Sequence, residues 1–181
     1  MAQTSEVLLS GSGGQGLIMV GQILADAVIR DGKNTVQTQS YGPEARGGAC
    51  KAEVIISDNE IDYPKVIKPD ILLAMSQEAI NKYAGDLSPD GVLIVDSTYI
   101  KDVPDTTAKV FAMPYSLIAK ESLGKEMVAN IIALGALAAL TSVVTKESLQ
   151  SALMSRIPRG TEDLNQKALE LGWEAAQQAA A

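Results

Sequence analysis

The sequence predicts an α/β protein: a three-layer α/β/α domain around a mainly parallel, Rossmann-like sheet, with residues 1–181 forming one domain. Three observations carry this expectation. Short β-type runs alternate with helical stripes through the first half of the chain, the pattern that builds a parallel sheet covered by helices. A glycine-rich turn joins the first run directly to the first stripe. A length of 181 residues with 46% hydrophobic and 20% charged residues is enough for one domain with a buried core.

The strand candidates are 6–10, 35–39, 52–57, 71–75, 92–96 and 108–111. Between the first two, residues 15–30 place Leu17, Val20, Ile23, Leu24, Ala27 and Val28 on one helical stripe, and Asp31-Gly32 ends it as a C-terminal glycine does. Residues 77–83 read as a short helix after the fourth strand, and Ser88-Pro89-Asp90-Gly91 as the turn into the fifth. Asp96-Ser97 at the end of that strand reads as a cap more than as a ligand contact. Met113-Pro114-Tyr115-Ser116 marks a chain reversal, with Tyr115 as a candidate interface or pocket residue. The last third is helical, over 123–140, 147–154 and 162–178, the final helix carrying Leu164, Ala168, Leu171 and Ala175 on one side. Its 127–140 stretch is apolar nearly all round, with small residues at Ala129, Ala133 and Gly135, and fits a core or subunit interface. Arg156-Ile157-Pro158-Arg159-Gly160 reads as a solvated basic loop.

Composition removes several kinds of chemistry. With no histidine and one cysteine, the chain builds neither a Ser-His-Asp triad nor a zinc site of the usual kind nor an iron–sulfur cluster on its own thiolates. Cys50 has no intrachain disulfide partner, which fits a reducing, cytoplasmic setting. The net charge of −7 argues against nucleic acid as a partner. The 127–140 apolar run is too short for a membrane span and is interrupted by Asn130 and Gly135, and the polar first residues do not form a signal segment.

Gly11-Ser12-Gly13-Gly14-Gln15-Gly16 follows the first strand at once, so Gly11, Gly13 and Gly16 satisfy G-x-G-x-x-G in a strand–turn–helix setting. Such a turn exposes main-chain N–H groups at a helix N-terminus, where an anion or phosphate is favoured. The same glycines also serve close packing of helix on strand. Binding of NAD further requires an acid roughly 20 residues on, where this chain has Val36-Gln37-Thr38-Gln39. An autonomous NAD(P)-binding protein therefore stays as the alternative, with Arg46 available to an extra phosphate.

Between the second and third strands lies Ser40-Tyr41-Gly42-Pro43-Glu44-Ala45-Arg46-Gly47-Gly48. Pro43 and three glycines suggest a shaped loop, in which Arg46 offers a fork to a carboxylate or phosphate and Glu44 orients it, or the two simply pair. With Glu53-Val54-Ile55-Ile56-Ser57, Pro69–Gln77, Gly91–Ser97 and Met127–Leu137, these loops resemble the gamma subunit of 2-oxoacid:ferredoxin oxidoreductases over nearly the whole chain. The Gly47-Gly48 pair leans toward the 2-oxoglutarate branch, and the absence of histidine sets aside the indolepyruvate loop.

The resemblance implies a fold like the gamma domain of pyruvate:ferredoxin oxidoreductase. It also implies a part in oxidative decarboxylation of a 2-oxoacid with coenzyme A, giving acyl-CoA, carbon dioxide and reduced ferredoxin. Thiamine diphosphate, Mg and iron–sulfur clusters would be held by other parts of the complex, and no cofactor by this chain alone. Its partners would be alpha and beta, and where present delta, subunits, with ferredoxin reached through the complex and a homodimer as a form of the isolated chain. The chain would be structural or co-catalytic and inactive by itself. Its candidate binding residues are Gly11, Gly13, Gly14, Gln15, Gly16, Tyr41, Glu44, Arg46 and Gly47, with no catalytic or metal-ligating residue.

Overall fold

Side chains alternate along a strand, so the parity of the first strand decides which helices cover which face. In strand β1 (Thr4–Ser12), Val7 and Leu9 enter one apolar cluster and Leu8 the other. The structure, a computed structural model, describes residues 4–40 and 49–180. The remaining strands are β2 (Asn34–Gln39), β3 (Ala49–Ser57), β4 (Ile71–Ala74), β5 (Val92–Asp96) and β6 (Lys109–Met113). The helices are α1 (Leu17–Arg30), α2 (Gln77–Tyr83), α3 (Tyr115–Leu123), α4 (Ala129–Thr141), α5 (Lys146–Arg156) and α6 (Glu162–Ala180). The Val7 face carries α1, α4, α5 and α6, whereas the Leu8 face is covered by α2 through Ala79, Ile80 and Tyr83. The three layers are thus unequal.

The sheet order is β2-β3-β1-β4-β5-β6. Strands β1, β4, β5 and β6 pair in parallel, while β3 runs antiparallel to both β1 and β2. The sheet is mainly parallel as expected, with one reversed strand that the alternation of runs and stripes did not show. The reason is the connection: residues 40–48 between β2 and β3 are too few for a parallel crossover, which takes about a dozen residues or more, so the chain returns antiparallel.

Helix 123–140 is corrected by the structure to two helices. Gly124, at φ 66°, ends α3 in the left-handed region, a 3-10 turn at Glu126–Val128 follows, and α4 begins at Ala129. The segment at 113–116 joins the end of β6 at Met113 to the start of α3 at Tyr115, and Tyr115 is fully buried in the core instead of forming an interface. Helix α6 is buried through Asn165, Ala168, Leu169, Gly172 and Ala176, which keeps Ala168 of the stripe read in the sequence and otherwise lies one residue on from it.

Helix α4 is buried along ten consecutive positions, Ala129 to Ala138, and it crosses α6 at backbone contact. A Cβ on Gly172 would lie 1.9 Å from the Ile132 carbonyl oxygen, and one on Gly135 would lie 2.4 Å from that of Leu169. At the other end of the core, Asp31 follows α1 and accepts from both the Thr145 backbone N–H (2.7 Å) and its hydroxyl (2.6 Å). Thr145 in turn caps α5 by accepting from the Ser148 N–H. No helix among the described residues is long and apolar enough to cross a membrane.

Two outcomes follow. Replacing Gly172 by Ala gains about 1 kcal/mol of helix propensity. It also forces the helices apart, at a cost at the upper end of overpacking, roughly 3 kcal/mol. The net expectation is a clear fall in the urea midpoint. Partial burial pushes the Asp31 carboxyl up, but the bonds from Ser148 and Thr145 outweigh it and hold its pKa below the ordinary 3.8. Its folded pKa being depressed, the carboxylate stabilises the native state above that value and loses the effect as pH falls through its lowered pKa. Asp31→Ala should therefore cost about 1–2 kcal/mol at neutral pH. In denaturant titrations the gap to wild type should close in strong acid, and a gap that does not depend on pH would refute the assignment.

Candidate functional site

Strand β1 is buried on both faces and paired on both edges, and the chain must turn from it into α1 within four residues. The glycines make that turn. Gly14 has φ 92° and Gly16 φ 73°, in the left-handed region open to glycine at little cost. Gly11 is buried, and a Cβ there would meet Gln15 Oε1 at 2.3 Å and Leu17 at 2.9 Å, so its role is close packing. Gly13 is exposed at the tip.

Gln15 fastens the turn. Its Oε1 accepts from the Ser12 N–H at 2.7 Å, and its Nε2 donates to the Met75 carbonyl at 3.0 Å, linking the turn to the end of β4. Beyond Ser12, only the Gln15 N–H is used inside the turn, donating to the Ser12 carbonyl at 3.3 Å. The helical ladder starts with Val20 N–H to Gly16 O. Among the described residues, the amides of Gly13, Gly14, Gly16 and Leu17 thus have no partner. Those amides open the N-terminus of a 14-residue helix, a setting that favours negative charge.

Beside the turn lies a cavity of about 250 Å³ lined by Gly14, Gln15, Met75, Ser116, Glu126, Met127, Ala129 and Asn130. Its position follows from topology. Neighbouring strands β1 and β4 send α1 and α2 to opposite faces, which parts the loops at their carboxyl ends and opens a crevice there. The first turn of α3 enters the wall because Asp96 holds it: the fully buried carboxylate accepts from the Ser116 N–H at 3.2 Å, the Ser116 hydroxyl at 2.5 Å and the Thr98 N–H at 3.0 Å. Asp96 thus closes the local turn at Thr98 and also satisfies an amide in the first turn of α3, whose N-cap position is Pro114. Neighbouring Tyr115 has its phenol pushed well up by burial, and the Asp96 charge adds to the effect. At the rim, the Tyr99 hydroxyl donates to Glu126, a bond that raises the Tyr99 phenol.

Of the residues singled out from sequence, Gly11, Gly13, Gly14, Gln15 and Gly16 sit together at this edge. Tyr41, Glu44, Arg46 and Gly47 lie outside the described residues. The foot of their loop is nevertheless placed, since Ala49 pairs with Ser12 and Cys50 with Gly11. Cys50 is not an activated nucleophile there, because burial pushes its thiol up. Met75, Ser116, Glu126, Met127 and Asn130 were missed as site residues. The one available signal was Asn130, an amide in an otherwise apolar helical run.

The topology also bears on nicotinamide dinucleotides. Their ribose is held by an acid at the end of the strand beside β1. Here β2 is an edge strand separated from β1 by the reversed β3, and it ends in Gln39.

These features define an α/β domain with a glycine turn suited to an anion beside a cavity at the strand ends, and comparison with known proteins gives its family. Residues 6–179 match the family model described as pyruvate ferredoxin/flavodoxin oxidoreductase, and the chain belongs to that family. It is a gamma subunit of the 2-oxoacid:ferredoxin oxidoreductase kind, an enzyme class that acts on an oxo group with an iron–sulfur protein as acceptor. The chain is 48% identical to the 2-oxoglutarate synthase subunit KorC of Methanocaldococcus jannaschii, over 96% of this chain and 94% of that protein. Against pyruvate synthase subunit PorC of the same organism the identity is 30%, over 93% and 94%. A crystal structure of a keto/oxoacid ferredoxin oxidoreductase gamma subunit from Geobacter sulfurreducens PCA superposes with a TM-score of 0.88 at 49% identity, covering 97% of this chain and 99% of that one.

The two left-handed glycines are separable. Gly14→Ala meets nothing within 4 Å and should cost only the backbone term, about 1–2 kcal/mol. Gly16→Ala carries the same term and also drives a Cβ to 2.6 Å from Asn130 Nδ2, so thermal melts should rank it as the more destabilising.

Proposed function

We propose that this chain is the gamma subunit of a 2-oxoglutarate:ferredoxin oxidoreductase and that its glycine-rich edge positions coenzyme A for the complex. The complex would oxidatively decarboxylate 2-oxoglutarate with coenzyme A to succinyl-CoA, carbon dioxide and reduced ferredoxin. The observation that carries the proposal is the row of unpaired amides at Gly13, Gly14, Gly16 and Leu17 opening beside a cavity at the strand switch. Oriented N–H groups at a helix start suit the phosphates of coenzyme A without needing a basic side chain. The choice of 2-oxoacid is supported by the higher identity to KorC than to PorC within one organism.

The residues of this chain do not fit the redox groups of such a complex. One thiol and no imidazole cannot ligate an iron–sulfur cluster, and among the described residues no group of three acidic or thiol side chains gathers to hold a metal. In this reading thiamine diphosphate, Mg and the clusters belong to alpha and beta subunits, ferredoxin docks elsewhere on the assembly, and the chain works in the cytoplasm as one domain over 1–181. What this chain does is bind and orient: the turn amides hold the anionic end, and Gln15 keeps the turn in register with β4. Glu44 and Arg46, on the loop rooted beside Ser12, supply the contact to the partner subunits or to the ligand.

Calorimetry on the isolated chain is expected to show saturable binding of coenzyme A and none of NADH. Reconstituted with its partners, the complex should reduce a viologen dye in the presence of 2-oxoglutarate and coenzyme A, and the single chain should not. Arg46→Ala should leave the chain folded while lowering the activity of the complex. Turnover by the chain alone, or NADH binding in place of coenzyme A, would overturn the proposal.

A further inference from the structure

Two buried polar side chains line the cavity, and they differ. Ser116 is paired, its hydroxyl donating to Asp96. Asn130, 4% exposed, is half paired: its Nδ2 donates to the Gly16 carbonyl at 3.5 Å, and its Oδ1 has no partner among the described residues. Because the Gly16 oxygen is an acceptor, the nitrogen must face the turn, and the unpaired oxygen is left on the other arm of the carboxamide, in a residue that lines the cavity. The backbone makes room for this arrangement, since Nδ2 occupies space that a Cβ on residue 16 would need. An alanine at 130 would suit the helix better and strand no acceptor. Buried side-chain oxygens are normally hydrogen-bonded, so this one calls for a donor that comes from outside the fold.

The rest of the wall says what carries that donor. Met75, Met127 and Ala129 present apolar and thioether surface, which suits the face of a flat group. Glu126 places a carboxylate on the same wall, so a phosphate is disfavoured inside the cavity and is left to the turn amides. At about 250 Å³ the cavity holds a part of a ligand and not the whole of it.

We propose that Asn130 Oδ1 accepts an N–H hydrogen bond from a flat, uncharged part of the ligand whose anionic groups rest on the turn amides. Asn130 is then the residue that separates this ligand from other anions. The inference rests on the coenzyme A reading, in which two groups carry such an N–H, the adenine amine and the pantetheine amides.

The test is calorimetry on the full chain with coenzyme A, adenosine 3′,5′-bisphosphate, 4′-phosphopantetheine and inorganic pyrophosphate, for wild type, Asn130→Leu and Asn130→Ala. Both variants should bind coenzyme A roughly tenfold or more weakly, as loss of one buried hydrogen bond predicts, and bind pyrophosphate as wild type does. The fragment that shares the loss names the donor, and a loss in neither fragment overturns the proposal. Asn130→Ala only removes atoms and carries the test if the leucine variant misfolds. In the wild type, the Asn130 side-chain amide resonances should shift with coenzyme A and not with pyrophosphate, an outcome that needs no variant. Coenzyme A binding that is unchanged in both variants, or an equal loss for pyrophosphate, overturns this inference and leaves the proposed function standing. Failure of wild type to bind coenzyme A overturns both.

Discussion

The constraint from which the site follows is the exit from β1. That strand is flanked by β3 and β4 and covered on both faces, so the chain has no room to wander before it starts α1. Only a backbone that enters the left-handed region at Gly14 and Gly16 reverses direction in so few residues. A turn that sharp cannot satisfy its own amides, and Gln15 offsets part of the deficit by accepting from Ser12 while tying the turn to Met75. The unused N–H groups are thus a by-product of how the strand is left, and they fall at the edge where α1 and α2 part to opposite faces.

The reversed strand β3 shapes the same edge from the other side. Inserted between β1 and β2, it brings residues 49 and 50 next to the glycine turn and moves the carboxyl end of β2 one strand away. The loop that joins β2 to β3 therefore starts and ends at the edge of the sheet that carries the glycine turn, whereas a parallel strand would have carried its connection to the far side. Buried Glu53 on β3 accepts from the Thr38 hydroxyl on β2 (2.8 Å) and from Lys51 (2.9 Å), which satisfies its oxygens and ties the edge pair to the sheet.

Helix α4 joins the core to the site. Its glycine contact with α6 is too close for any side chain, which fixes the helix axis against the sheet, and its first turn then delivers Asn130 to Gly16. A helix buried nearly all round is expensive to displace, so the position of that carboxamide is set by the whole apolar cluster and not by local contacts.

Local chemistry is strong in the elements that the sequence determined by itself. The strands at β1, β4 and β5, the stripe of α1, its Asp31-Gly32 stop and the glycine turn were all legible, because each is set by residue spacing or by a conformation that glycine adopts most readily. The order of the two glycine loops likewise carried the family. Tertiary structure alone decided where β3 begins, the break at Gly124, the shift of the buried face of α6 and the gathering of Met75, Ser116, Glu126 and Asn130 around one cavity. Those features depend on what a segment packs against. Residues 75, 116 and 130 become neighbours only because three strand ends and two helix starts meet at the point where the connections change sides, and that meeting has no period in the sequence.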